Sequence, residues 1–143
     1  MSYVKIIINS VWSTKNRFPF LKDGVKHKLI SHIKEYAQKN GIFIDTINGY
    51  HEHIHCLFSL NADMCVAKTM NLIKGESSFW MNNNNIIPSK FQWCNDYYAV
   101  SVSESDLPRV REYINNQEEH HRKISFKEEY DDFIKSHMQK GQG

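Results

Sequence analysis

The chain has 143 residues, of which 41% are hydrophobic and 13% aromatic. That suits one domain spanning residues 1–143, and it is too much bulky apolar surface for a disordered chain. The net charge of +2 conceals an asymmetry, because residues 1–40 sum to +6 and the remainder to −4, so the N-terminal third is either a phosphate-facing surface or an ordinary solvated one.

In chain order, Tyr3 to Thr14 is rich in Ile and Val and reads as a strand, followed by a connector from Arg17 to Gly24. Val25 to Asn40 carries apolar residues at helical spacing, with Gly41 as a stop. Ile42 to Asn48 reads as a strand, Gly49 as a turn or bulge, and His53 to Leu60 as an alternating strand. Cys65 to Met81 is helical, and the Asn82–Asn85 run is a loop. Phe91–Trp93 and Tyr97–Val102 read as a strand pair around Asn95–Asp96. Asp106 to His121 forms a helix with Val110 and Ile114 inward. Ser125 opens another, where Ser-Phe-Lys-Glu fits a capping box ahead of Phe126, Tyr130, Phe133 and Ile134. Two strand–helix–strand units in this order predict a ferredoxin-like or RRM-like α+β sandwich. Helices then cover one face of an antiparallel sheet and leave the other open for a site. The N-terminus shows no cleavable signal pattern, and no apolar run is long enough to cross a membrane. The three cysteines have no CxxC spacing, which argues against a disulfide scaffold or a four-thiolate zinc site and points to a reducing cytoplasm.

The segment Tyr50-His-Glu-His-Ile-His-Cys-Leu-Phe-Ser59 carries the chemistry. On a strand, Ile54, Cys56, Phe58 and Leu60 share one face, and His53, His55, Leu57 and Ser59 share the other. The apolar set belongs against the helices. His53 and His55 then stand about 7 Å apart along the strand on the open face. Two neutral imidazoles so placed can converge on one divalent ion, or they are simply exposed polar residues. The bare pattern is weak, since roughly 0.4 His-x-His matches arise by chance in a chain of this composition. Tyr113 and Gln117 lie one helical turn apart at the edge of the Val110/Ile114 stripe, where they either reach a cleft or are partly buried on an amphipathic helix. A phenol needs a metal or a base to become a nucleophile, and an amide oxygen is a hard ligand for Mg²⁺ or Mn²⁺.

Taken together, the two motifs resemble those of the HUH single-strand nucleases. They are most similar to the single-tyrosine transposases of small bacterial insertion sequences, including the REP-associated ones. Val11-Trp-Ser-Thr-Lys-Asn-Arg-Phe-Pro-Phe-Leu21 resembles that family's Trp-x-Thr-Lys-Tyr-Arg signature, with Asn16 where Tyr is usual. Leu72-Ile-Lys-Gly-Glu-Ser-Ser78 resembles its Leu-Lys-Gly-x-Ser-Ser helix, and Val110 to His121 its tyrosine helix. Glu52 precedes the His-Ile-His triplet where the family often has Asp. The resemblance implies a nucleophile at Tyr113 and a divalent ion, Mg²⁺ or Mn²⁺, on His53, His55 and Gln117. It further implies cleavage and rejoining of single-stranded DNA through a 5′-phosphotyrosine, binding of DNA hairpins, and a homodimer. Lys15, Arg17 and Lys74 occupy its basic signature positions and are candidate phosphate contacts. Two other readings keep the same sequence features. One is a non-catalytic RRM-like module, although the RRM signature is absent; the other is a domesticated palindrome-processing relative with the same chemistry. Trp12, Phe18 and Trp80 either stack on bases or, more simply, pack in the core. His120 and His121 read as surface residues, His51 stays outside the ligand set, and the cysteines read as small core residues.

Overall fold

The computed structural model describes residues 3–121 together with 128, 129, 131 and 134. Four strands, β1 (Ile7–Ser13), β2 (Phe43–Gly49), β3 (His53–Ser59) and β4 (Tyr98–Val102), form one antiparallel sheet in the order β2-β3-β1-β4. Helices α1 (Val25–Lys39) and α2 (Val66–Asn83) connect them, so the ferredoxin-like sandwich predicted from the element order is the fold observed. Among the described residues, no helix is long and apolar enough to cross a membrane.

Strand alternation divides the interior in two. Ile8 and Trp12 of β1 and Ile54, Cys56 and Phe58 of β3 meet Leu29, Ile33 and Ala37 of α1 and Met70, Ile73 and Met81 of α2. The opposite face is not open, as the sequence pattern suggested. Helix α3 (Leu107–Asn115) lies on it, burying Leu107, Val110 and Ile114 against Ile7 and Leu57. A helix with an apolar stripe needs a surface to cover it, and this face offers one. Arg111 Nε and Nη2 donate to the two carboxyl oxygens of Asp45 at 2.9 and 2.7 Å, which ties α3 to β2.

The helix expected over 106–121 is broken. After α3 the backbone leaves helical geometry at Asn116 and resumes as α4 (Gln117–His121). Asn48 of β2 donates its amide to the carbonyls of Ile114 and Asn115 at 3.1 and 3.3 Å, satisfying the acceptors that the break exposes. Phe91–Trp93 and Tyr97–Val102 do not pair with each other either. Both run along the same edge of β1, Trp93 opposite Thr14 and β4 opposite Ile7–Val11. Of the terminal helix, Glu128, Glu129, Asp131 and Ile134 are helical. The capping residue Ser125 and the apolar positions Phe126, Tyr130 and Phe133 lie outside the described residues.

Candidate active site

The His53 and His55 strand is central in the sheet. His53 sits opposite Ser13 and His55 opposite Val11 on β1, while Asn48 of β2 flanks His55 on the other side. Because α3 covers this face, the two imidazoles are buried at 0% and 1% exposure rather than displayed to solvent. Their ring centroids are 5.0 Å apart, with the planes nearly perpendicular. Glu52 Oε1 lies 2.8 Å from His53 Nδ1. With that nitrogen donating to the carboxyl, the lone pair of Nε2 is directed at the interior of the cluster. Glu52 thus orients the first histidine.

Three side chains from outside the sheet close on the pair. Gln117, fully buried at the start of α4, presents Oε1 3.1 Å from His53 Nε2, and its Nε2 donates to the Tyr113 carbonyl at 3.2 Å. The Tyr113 ring packs edge-on against His55 at 5.7 Å. Its hydroxyl donates to Glu129 Oε1 at 2.5 Å. That oxygen is also 2.8 Å from His55 Nε2, and the other Glu129 oxygen is 3.5 Å from His53 Nε2. Tyr113, Gln117, His53 and His55, singled out from the sequence, therefore meet in one place within one chain.

Glu129 is the residue that sequence reasoning missed. It is 1% exposed. A signal existed: Glu129 falls three residues after Phe126 and four before Phe133, inside the apolar stripe of the terminal helix. An acidic residue in such a stripe needs a buried partner.

The donor set fits a divalent cation. His53, His55 and Glu129 each offer a ligand atom, all within 4.8 Å of one another, and Gln117 adds an amide oxygen beside His53. Imidazole nitrogens with carboxyl and amide oxygens suit Mn²⁺ and related ions, and the oxygens suit Mg²⁺.

The basic candidates divide. Lys15 and Arg17 are exposed on a single 3₁₀ turn, Lys15–Arg17, directly after β1. Lys74 is elsewhere and otherwise engaged: its ammonium donates to the carbonyls of Cys94, Asn95 and Asp96 at 2.8, 3.2 and 3.0 Å, which uses all three of its hydrogens. Burial pushes its pKa down. Its evident task is to staple the turn before β4. Trp12 is core and Trp80 stacks on His32 at 4.1 Å, but Phe18 is 56% exposed and is not a core residue. Only Cys56 is a buried core cysteine, its thiol pKa raised by burial. Cys65 is exposed and caps α2 by accepting from Lys68 N at 3.4 Å. His51 stacks on Tyr50 outside the cluster, its pKa lowered by burial. His120 contacts the Tyr113 ring at 5.1 Å and is half-buried rather than superficial; the side chain of His121 lies outside the described residues.

With this geometry in hand, comparison with known proteins is decisive at the level of family. A family model described as "Transposase IS200 like" matches residues 2–117. The chain belongs to the IS200-like transposase family. Among curated relatives, it is 22% identical over 120 residues to the ISDra2 transposase TnpA of Deinococcus radiodurans, covering 75% of this chain and 80% of that protein. Among solved structures, a transposase from Deinococcus radiodurans R1 superposes with a TM-score of 0.63 at 24% identity, covering 82% of this chain and 95% of that one. A REP-associated tyrosine transposase bound to a REP hairpin superposes with a TM-score of 0.60 at 17% identity, covering 81% of this chain and 68% of that one. These structural likenesses fix the fold, and the family model fixes the class of protein.

Proposed function

We propose that this transposase-family chain cuts and rejoins single-stranded DNA through a covalent bond between Tyr113 and a 5′-phosphate. The observation that carries the reading is the convergence of the Tyr113 hydroxyl with the buried side chains of His53, His55, Gln117 and Glu129, assembled from β3, α3, α4 and the terminal helix. A non-catalytic RRM-like module has no use for such a cluster, because burying His53, His55, Gln117 and Glu129 together costs stability that apolar residues would provide.

Each side chain then has a task. The Tyr113 oxygen attacks the scissile phosphorus. The bond from phosphorus to the 3′-oxygen breaks, leaving a 5′-phosphotyrosine; the phenolic proton passes to the Glu129 carboxyl that already accepts it, and the departing 3′-oxygen takes a proton from solvent water to become the 3′-hydroxyl. The number of phosphoester bonds is unchanged, so a second 3′-hydroxyl can reverse the step without ATP. His53, His55 and Gln117 would hold a divalent ion, Mg²⁺ or Mn²⁺, with Glu129 as an adjoining ligand. Such an ion supplies charge stabilisation at the phosphoryl oxygens. Glu52 keeps His53 in the ligating orientation. Lys15 and Arg17, exposed at the end of β1, meet the DNA, with Lys15 at its backbone. The solved relative bound to a REP hairpin supports hairpin DNA as the substrate class; the family resemblance supports a homodimer, and the free cysteines support a reducing cytoplasm.

The test is incubation with single-stranded DNA from the flanks of its own gene, with Mg²⁺ or Mn²⁺, followed by denaturing electrophoresis. The wild-type chain gives a covalent protein–DNA band whose nucleotide-linked peptide contains Tyr113. Tyr113→Phe folds and binds DNA but gives no band. An adduct on another residue, or full cleavage by the Phe variant, overturns the reading.

A further inference from the structure

On the other edge of β1 from the histidine strand lies a cavity of about 310 Å³ that the proposed chemistry does not use. Trp12, Asn16, Arg17, Asp96, Tyr97 and Tyr98 line it. It exists because the chain leaves the edge of β1 between two pairings. Cys94 N donates to the Ser13 carbonyl at 2.9 Å, and regular pairing resumes only at Tyr98 opposite Val11. We infer that this cavity holds one unpaired guanine of the single-stranded DNA, beside the scissile phosphate.

Several independent features of the cavity point to a built site. Asn16 and Arg17 are consecutive non-glycine residues at φ 57° and 55°, a backbone that L side chains adopt only when the surroundings impose it. Thr14 Oγ1 holds this turn by donating to the Phe18 carbonyl at 2.6 Å. The opposite wall is fixed by Lys74, whose three bonds to the carbonyls of residues 94–96 and position 5.7 Å from the Tyr97 ring centroid set the aromatic wall.

The polar groups select the base. A guanidinium fork matches the adjacent O6 and N7 acceptors of guanine, and a carboxyl accepts from its ring N–H and exocyclic amine. Adenine, cytosine and thymine do not offer that pair of edges together. Tyr97 and Tyr98 supply faces for an unstacked base, the usual platform for single-strand recognition. Ser13, which also lines the cavity, sits opposite His53 in the sheet register. With strands about 4.8 Å apart, a base held here belongs to a nucleotide next to the phosphate at the histidines. Lys74 is thus a positioning residue for base recognition rather than a phosphate contact.

The inference rests on the reading that the chain takes single-stranded DNA, but its test does not depend on cleavage. The metal-free full-length chain is titrated with the trinucleotides d(TGT), d(TAT), d(TCT) and d(TTT), and amide and indole N–H resonances are followed by NMR. With d(TGT), the Trp12 indole and the Asp96–Tyr98 amides shift at a dissociation constant about tenfold below those for the other three. Asp96→Asn keeps the rest of the spectrum and loses most of that preference, while Lys74→Met weakens d(TGT) binding and broadens the 94–97 amides. Equal shifts from all four trinucleotides, or no shift at Trp12 and Asp96–Tyr98, overturn the inference. Covalent adduct formation at Tyr113, measured separately, is unaffected by that result.

Discussion

Replacing Glu129 with Ala tests the residue that the structure adds to the site. In the wild-type chain its carboxyl accepts from the Tyr113 hydroxyl at 2.5 Å and contacts His55 Nε2 at 2.8 Å, all within a cluster in which Glu129 is 1% exposed. Truncation removes this partner from buried His55 and from the half-buried Tyr113 hydroxyl, at about 1–3 kcal/mol each. The metal-free variant therefore loses roughly 2–6 kcal/mol, part of which a water entering the vacated space restores. For a chain of this size that lowers the melting temperature by roughly 2–4 °C per kcal/mol. The second readout is the metal increment. An ion bound only to the folded chain raises stability by about 2.7 kcal/mol at a hundred times its dissociation constant. If Glu129 is a ligand, its loss weakens Mn²⁺ at least tenfold and removes about 1.4 kcal/mol of that increment. Thermal denaturation with and without Mn²⁺ measures both. A variant that melts with the wild type in the absence of metal contradicts the hydrogen-bond accounting, and an unchanged metal increment removes Glu129 from the ligand set.

Two further perturbations probe how the scaffold holds the histidines. A Cβ on Gly49 would stand 2.2 Å from the His53 carbonyl oxygen and 3.1 Å from Ile54 Cα, both backbone atoms. Gly49→Ala therefore destabilises the fold by roughly 1–3 kcal/mol or more and displaces His53; a urea midpoint equal to wild type would show that β2 yields there at no cost. The Arg111 guanidinium, hydrogen-bonded to both oxygens of Asp45, holds that carboxyl below its ordinary 3.8. A carboxyl with a depressed folded pKa contributes stability above its unfolded pKa and loses it as pH falls through the folded value. Asp45→Asn should therefore be less stable than wild type at about pH 5 and lose the deficit as pH drops below about 3.8. A constant gap in urea midpoint across that range would refute the linkage.

The readable part of this protein was local. Alternation along 53–60 separates the histidines from Ile54, Cys56 and Phe58, and the structure keeps that separation residue for residue. Helical spacing puts Tyr113 and Gln117 on one side of the chain, and they stay together although Asn116 breaks the helix between them. Tertiary consequences were harder to read. The pattern Leu107, Val110, Ile114 announces a buried stripe without saying which sheet face receives it, so the second face looked open when in fact α3 covers it. Lys74 looked like a phosphate contact because it occupies a basic signature position of the resembled family, whereas the three carbonyls that engage it belong to a turn twenty residues away.

The same distinction explains why the chemistry is buried. A histidine pair on an open face would exchange water freely and hold an ion weakly oriented. Helix α3 covers the face through Leu107, Val110 and Ile114, and the residue beside Ile114 in sequence is Tyr113. The apolar contact that stabilises the fold therefore delivers the hydroxyl to within hydrogen-bond distance of the carboxyl beside the histidines. The helix break at Asn116, secured by Asn48 from β2, then turns Gln117 inward onto His53. Since Asn48 pairs with His55 in the sheet, one strand residue fixes both the position of a histidine and the end of the tyrosine helix. Site geometry and core packing are coupled at that point. A cavity made at Ile114, fully buried and adjacent to Tyr113, should therefore disturb nucleophile placement as well as stability, and a loosened α3 should be felt at Tyr113 before the far side of the sheet, where α1 and α2 form a separate core.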